Sequence, residues 1–221
     1  MNLSIPVIII LFLYLALSSA VCRRAAETGK CGSLKSALTP LLMALYLCAA
    51  SGEAKPDIIL RICLIFALAF GCAGDTLLEI SEEGKYLVFG LSSFLIGHLF
   101  YIAASLSGIS RSHLHPILFS GLIPYAVLFV AVVRKILPSV QKEMKTAVIV
   151  YMTVIILMSI SMLLRFGSAS FSSASVCLAG SALFILSDIL LALHVFKGKA
   201  FRGVMETYTS AQLLLTLGFL L

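Results

Sequence analysis

Charged residues are scarce in this sequence, and tryptophan is absent from it. Only 12% of the 221 residues are charged, whereas 61% are hydrophobic, and the mean hydropathy is +1.11. A soluble domain carries about 25% charged and about 45–50% apolar residues. The shortage of charge extends along the whole chain and leaves no long polar region for a second, water-soluble domain. The sequence therefore predicts a single integral-membrane domain over residues 1–221.

Several common catalytic signatures are also missing. The chain has no GxSxG nucleophile elbow, no P-loop and no HExxH motif. Its cysteines give no disulfide framework, because four of the six lie in apolar runs, where a thiol packs as a small hydrophobic group. The four histidines show no tight ligand spacing, and two of them, His113 and His115, fall on the outer side of the predicted topology. We therefore expect no metal site.

Eight apolar runs of near-spanning length recur between short polar breaks. They cover residues 3–22, 34–51, 58–80, 86–107, 117–133, 146–164, 174–196 and 204–221. A helix of about 20 residues crosses the hydrocarbon core, and only structures that pair their own backbone groups are stable there. We therefore predict an all-α fold, a polytopic bundle of eight transmembrane helices.

The first apolar run has a second interpretation, as a signal peptide cleaved after Ala20. No basic residue precedes the run, however, and Arg23 and Arg24 follow it directly. This order of charges favours a retained helix whose N-terminus is outside the cytoplasm.

The basic residues are distributed unevenly among the connections between the helices. Odd-numbered connections hold 12 of the 16 Lys and Arg residues, and even-numbered connections hold 4. By the positive-inside rule, the odd-numbered connections are cytoplasmic and both termini are not. The net charge of +6 is thus mostly a topology signal, and we expect no nucleic-acid partner.

Two aspartates lie inside the third and seventh predicted helices. Asp75 is five residues before the end of its run, and Asp188 is eight before the end of its own. At 1.5 Å per residue they are about 8 Å and about 12 Å from the cytoplasmic ends, so both fit one layer of the membrane. Acids in the membrane are costly and indicate function. A structural polar pair, for instance with Lys35 or Tyr208, is the alternative interpretation.

The surroundings of the two aspartates are alike in sequence. GDTLL (residues 74–78) and SDILL (residues 187–191) lie 113 residues apart, on helices of the same direction. This similarity is consistent with two parallel four-helix repeats.

Other polar residues occupy the predicted helices. Lys35 opens the second helix, where it either marks the topology by snorkelling or reaches an anionic head group. His98 and Tyr101 share one face of the fourth helix, and Tyr208 and Gln212 share one face of the eighth. A polar cavity and simple helix–helix hydrogen bonding are both consistent with this pattern.

Four segments resemble, in order, the signatures of the YhhN-type lysoplasmalogenases. They are AGDTLLEI, GHLFYI, LSDILLALHVF and TYTSAQLLLTLG. The resemblance covers helices two to eight and implies an eight-helix membrane enzyme. Its implied reaction is hydrolysis of the vinyl ether bond of a lysoplasmalogen, a lysophospholipid, to a fatty aldehyde and glycerophosphocholine or glycerophosphoethanolamine. It implies no metal or organic cofactor.

The resemblance also implies roles for individual residues. Asp75 and Asp188 match the two motif aspartates and are the expected catalytic residues. The expected substrate-binding residues are polar ones on three of the predicted helices: Lys35, His98, Tyr101, Tyr208 and Gln212. Two positions depart from the family pattern, since His194 replaces a frequent Asp and Thr209 a frequent Tyr.

The implied chemistry needs two carboxyl groups with different tasks. An acid protonates the β-carbon of the vinyl ether, an oxocarbenium forms, water adds, and the hemiacetal collapses to aldehyde and alcohol. One carboxyl group must keep its proton near neutral pH, and an ionised one stabilises the cation or takes a proton from water, as in glycosidases.

The sequence leaves open which aspartate is the acid, which head group is preferred and how many chains assemble. It also leaves open the membrane, which we expect to be the endoplasmic reticulum in a eukaryote and the inner membrane in a bacterium.

Two other classes of protein fit the same residues. A small proton-coupled transporter would explain acids within the membrane, and it would favour broken helices; Pro40 and Pro124 are the only prolines well inside the predicted helices. A non-enzymatic lipid-binding or scaffold protein would use both acids in structural pairs, so replacing both by neutral residues would be tolerated.

Overall fold

A computed structural model describes residues 4–29, 31–51, 57–81, 83–107, 121–200 and 202–221. All regular secondary structure in these ranges is helical. The α-helices are, in chain order, α1 (Ile5–Thr28), α2 (Leu38–Ala50), α3 (Ile58–Ile80), α4 (Gly84–Ser107), α5 (Leu122–Ile136), α6 (Lys145–Leu164), α7 (Phe171–Lys197) and α8 (Val204–Leu220). A 3-10 segment, Ser33–Ala37, leads directly into α2.

Seven helical stretches in the described ranges are long and apolar enough to cross a membrane. They are α1 to α7, three of them extended by adjoining 3-10 turns. This confirms the prediction of an all-α, multi-pass membrane protein. The remaining helix, α8, has 17 residues. At 1.5 Å per residue it is about 26 Å long, slightly shorter than the roughly 30 Å hydrocarbon core.

Several basic residues assigned to connections belong to helices instead. α1 continues through Arg23 and Arg24, Arg61 lies in the first turn of α3, and Arg134 and Lys135 form the last turn of α5. Long basic side chains extend from a helix end toward the membrane surface, and cations near a helix C-terminus are favourable. Five positions used in the sequence argument lie outside the described residues: Lys30, Lys55, Arg111, His113 and His115.

The two helices that carry the aspartates have clear start and stop signals. The Asp57 side chain accepts a hydrogen bond from the Leu60 amide at the start of α3, and Ser170 does the same for the Ser173 amide at the start of α7. α7 ends where Gly198 adopts a left-handed conformation with φ of 61°. Asp75 and Asp188 therefore both lie toward the C-terminal ends of well-defined helices.

Two antiparallel pairs, α3–α4 and α7–α8, have the most extensive helix contacts in the described bundle. Small residues permit this closeness. A β-carbon on Gly97 would lie 3.1 Å from the Ala67 carbonyl oxygen in α3, and one on Gly180 would lie 2.9 Å from the Leu215 backbone nitrogen in α8. α2 packs against α3 and α8, and α6 packs against α4 and α7. The buried polar side chains described below lie between these helices.

Candidate functional site

Asp75 is fully buried and joins three parts of the chain. Lys35 Nζ, from the 3-10 segment before α2, lies 3.1 Å from Asp75 Oδ1. The Tyr208 hydroxyl, from α8, donates a hydrogen bond of 2.7 Å to Asp75 Oδ2. Lys35 Nζ also lies 5.4 Å from the centre of the Tyr208 ring. Both carboxylate oxygens therefore have a polar partner.

The polar contacts continue from Tyr208 to the fourth helix. Gln212 Nε2 donates to the Tyr208 hydroxyl at 3.3 Å, and the Tyr101 hydroxyl donates to Gln212 Oε1 at 2.6 Å. The Gln212 and Tyr101 side chains are buried in the bundle. Asp75, Lys35, Tyr208, Gln212 and Tyr101 thus form one connected group, which we call the Asp75 network.

Asp188 belongs to a second group. The Tyr151 hydroxyl, from α6, donates a hydrogen bond of 2.6 Å to Asp188 Oδ2. His98 Nε2, from α4, lies 3.2 Å from the Tyr151 hydroxyl and 3.8 Å from the same carboxylate oxygen. The His98 side chain is 1% exposed and that of Asp188 is 10% exposed. We call these three residues the Asp188 network.

The two networks meet at a small cavity and at one aromatic ring. Lys35 and Tyr208 of the first network and Asp188 of the second all line this cavity, and its volume is about 20 Å³. The Phe184 ring has an edge-to-face contact with both His98 (4.8 Å between centroids) and Tyr208 (5.5 Å). The structure therefore places the seven predicted site residues in two adjoining networks, and Asp188 faces the space between them.

A larger polar cavity opens beside the small one. Its volume is about 520 Å³, and α1, α3 and α7 all end near it. Lys35 and Leu78 line both cavities, and Glu79, Glu83 and His194 line the larger one alone. Lys35 is thus placed between a carboxylate inside the bundle and a polar opening.

The two departures from the family pattern lie in different places. His194 faces the polar cavity, and its Nδ1 lies 2.7 Å from the Lys199 carbonyl oxygen. Thr209 packs toward α1, where its carbonyl oxygen accepts a hydrogen bond of 2.7 Å from the Tyr14 hydroxyl. Of the two departures, His194 is therefore the one that lines a cavity described above.

Sequence reasoning missed Tyr151, which connects His98 to Asp188. Its only signal was a single tyrosine in the apolar run 146–164. The structure also contains both contacts of the alternative interpretation of Asp75, the pair with Lys35 and the hydrogen bond from Tyr208.

These features define a multi-pass helical membrane protein with two buried, aspartate-centred polar networks. The sequence model of the YhhN family matches residues 33–219, which is most of the chain. The protein belongs to the YhhN family, as the four sequence segments predicted. Searches of the curated proteins and of the solved structures gave no significant match.

Proposed function

We propose that the protein is a lysoplasmalogenase. It hydrolyses the vinyl ether bond of a lysoplasmalogen to a fatty aldehyde and glycerophosphocholine or glycerophosphoethanolamine. The observation that carries this proposal is the carboxyl group of Asp188, which lines the same cavity as Lys35 and Tyr208 inside an apolar bundle. Membership of the YhhN family supports it.

Asp188 is the proposed acid. Both of its described polar contacts, with Tyr151 and His98, are made by Oδ2, and its side chain faces the cavity. The carboxyl proton is transferred to the β-carbon, the double bond supplies the electron pair, and the α-carbon becomes an oxocarbenium. Water adds to the α-carbon and gives up a proton, and the hemiacetal then releases the aldehyde and the glycerol hydroxyl group. The released proton restores the acid.

Asp75 is the second carboxyl group of the proposal, and its contacts suggest an indirect role. It does not line the small cavity, whereas its two partners, Lys35 and Tyr208, do. We propose that Asp75 holds the Lys35 ammonium group and the Tyr208 hydroxyl at the cavity wall. Lys35 then contacts the phosphate of the substrate, because it also lines the open polar cavity. His98, Tyr101 and Gln212 maintain the two networks.

The proposed enzyme crosses the membrane eight times and acts on the cytoplasmic leaflet. α8 packs along α7 and α2 and carries Tyr208, which supports its inclusion as the eighth span. The charge distribution supports non-cytoplasmic termini, and with this proposed orientation the polar cavity lies on the cytoplasmic side.

A transporter would favour discontinuous helices at the charged site. α3 and α7 are instead continuous through Asp75 and Asp188, and Pro40 and Pro124 lie in the first turns of α2 and α5. These observations favour the enzyme over the transporter.

The deciding measurement is aldehyde release from lysoplasmalogen by the purified protein in detergent. We expect release by the wild type, none by Asp188→Asn, and a large loss in Asp75→Asn. Asp57→Asn is the matched control, since an exposed helix cap tolerates asparagine and activity should be unchanged. Normal activity of Asp188→Asn, or no release by a folded wild type, would overturn the proposal.

A further inference from the structure

An apolar cavity begins at Asp188 on the side away from Lys35. Asp188 and Leu191 line both this cavity and the small cavity described above. The other walls come from α4, α5, α6 and α7 and are apolar except for Tyr151; they include Leu91, Val148, Met152 and Ala192. The volume is about 40 Å³, so the cavity is narrow.

The apolar cavity adjoins a groove between α4 and α6. The groove has a volume of about 220 Å³ and shares Leu91 and Tyr151 with the cavity. Two of its lining residues, Val88 and Val150, are 42% and 47% exposed. Apolar side chains exposed on a helix of a membrane protein face lipid, so the groove opens toward the bilayer.

The spaces therefore follow one another in a fixed chemical order. The open polar cavity shares Lys35 with the small cavity, and the small cavity shares Asp188 with the apolar cavity. The apolar cavity in turn shares Leu91 and Tyr151 with the lipid-facing groove. A lipid with one chain has the same order, with a charged head group, a glycerol linkage and a hydrocarbon tail.

We infer that the apolar cavity and the α4–α6 groove bind the aliphatic chain of the substrate, with the carbons nearest the ether oxygen beside Asp188. This assignment rests on the proposed function, which identifies the vinyl ether as the bond that reacts. Because the cavity is narrow, it holds only the first carbons of an unbranched chain, and the rest passes along the groove into the membrane. The head group occupies the polar cavity, where Glu79 and Glu83 suit a cationic choline or ethanolamine group and Lys35 suits the phosphate.

The test uses a 1-O-alkyl lysophosphocholine that carries a diazirine in its chain. The saturated ether has no vinyl group and is not hydrolysed, so binding is measured apart from chemistry. After irradiation of the wild-type protein in detergent, peptide mapping should place the crosslinks on α4 and α6, at or beside Leu91, Val150 and Met152. Crosslinks scattered over the lipid-facing side chains of α1, such as Ile5 and Phe12, would overturn the assignment.

A variant that fills the cavity gives a second readout. Ala192→Phe should weaken binding of the alkyl probe about tenfold, the loss expected when about two methylene groups lose their buried contacts. Binding of glycerophosphocholine, which has no chain, should be unchanged. Ala179→Phe, on the exposed face of the same helix, is the control and should bind both ligands normally.

The outcomes separate this inference from the proposed function. Equal loss of both ligands in Ala192→Phe, or no loss of either, overturns the chain site whatever the activity of the wild type. Crosslinks at the expected positions together with no aldehyde release from lysoplasmalogen would uphold the chain site and overturn the proposed reaction. If Ala192→Phe does not fold, the crosslink map of the wild type decides alone.

Discussion

At the scale of single residues, the hydroxyl group of Tyr151 connects His98 to Asp188. It donates a hydrogen bond to Asp188 Oδ2, and Asp188 also lines the small cavity. A carboxyl group whose orientation is fixed in this way can deliver its proton to one point in space.

Tyr151→Phe keeps the ring and removes this hydrogen bond. Asp188 becomes a carboxylate as it gives up its proton, and a hydrogen bond to a charged group contributes about 1.5–3 kcal/mol. We therefore expect kcat to fall about tenfold to a hundredfold, with little change in KM. Aldehyde release at several substrate concentrations measures the two constants. Tyr125→Phe removes a hydrogen bond to Ser159 instead and should be nearly silent in activity. A similar loss in both variants would mean that losing either hydrogen bond disturbs the bundle and that the Tyr151 hydroxyl has no specific role at Asp188.

The Lys35–Asp75 pair permits a test that separates stability from catalysis. Lys35→Met leaves the Asp75 carboxylate buried without its cation, which we expect to destabilise the fold by about 3–5 kcal/mol. The double variant Lys35→Met/Asp75→Asn should recover most of this stability but release no aldehyde. Denaturant unfolding in detergent and the aldehyde assay provide the two measurements. An active double variant would instead show that the Lys35–Asp75 pair is only structural and takes no part in the reaction.

At the scale of helices, close packing of α7 on α8 fixes Asp188 relative to Tyr208. Gly180 is the contact point, since its added β-carbon would meet α8 backbone atoms that cannot move independently. Overpacking of this kind costs about 1–3 kcal/mol.

We therefore expect Gly180→Ala to lower the free energy of unfolding by about 1–3 kcal/mol and to reduce activity as the helices separate. Thermal unfolding in detergent, followed by circular dichroism, measures the first effect. Ala179→Val adds bulk on the exposed side of the neighbouring position and should change neither property. Unchanged stability of Gly180→Ala would show that the helix pair has room to adjust.

Hydropathy patterns predicted some helix boundaries correctly and missed others. The third apolar run, 58–80, coincides with α3, because Asp57 caps its start and Ser81 leaves the helical conformation at its end. The first run was predicted to end at residue 22, whereas α1 continues to Thr28. A helix needs paired backbone groups and not apolar side chains, so it continued through Arg23 and Arg24 where the hydropathy pattern stopped.

The sequence predicted which residues form the candidate site, but it did not predict which of them contact one another. The spacing of His98 and Tyr101 placed both on one face of α4, yet His98 contacts the Asp188 network and Tyr101 the Asp75 network. Their partners, Tyr151 and Gln212, are 53 and 111 residues away in sequence. Such pairings depend on which helices become neighbours, and neither periodicity nor composition contains that information.

At the scale of the whole molecule, the proposed function makes the orientation of the bundle important, because orientation determines which leaflet would supply the substrate. The two ends of α7 provide a test, because Ser168 precedes it, Lys199 follows it and both are exposed. In a variant whose six native cysteines are replaced, Ser168→Cys should react with a membrane-impermeant thiol reagent applied to intact cells. Lys199→Cys should react only after the membrane is opened. The reverse pattern would invert the topology and place the polar cavity outside the cytoplasm.

The contacts of Asp75 also have a consequence for biogenesis. Ribosomes make Lys35 before Asp75, so the cation is present when the third helix enters the bilayer, whereas Tyr208 is synthesised 133 residues after Asp75. A nascent chain can therefore neutralise its most deeply buried acid early, but it completes the wall of its cavity only with the last helix. A chain terminated before Val204 should therefore insert its earlier helices and release no aldehyde in the lysoplasmalogen assay.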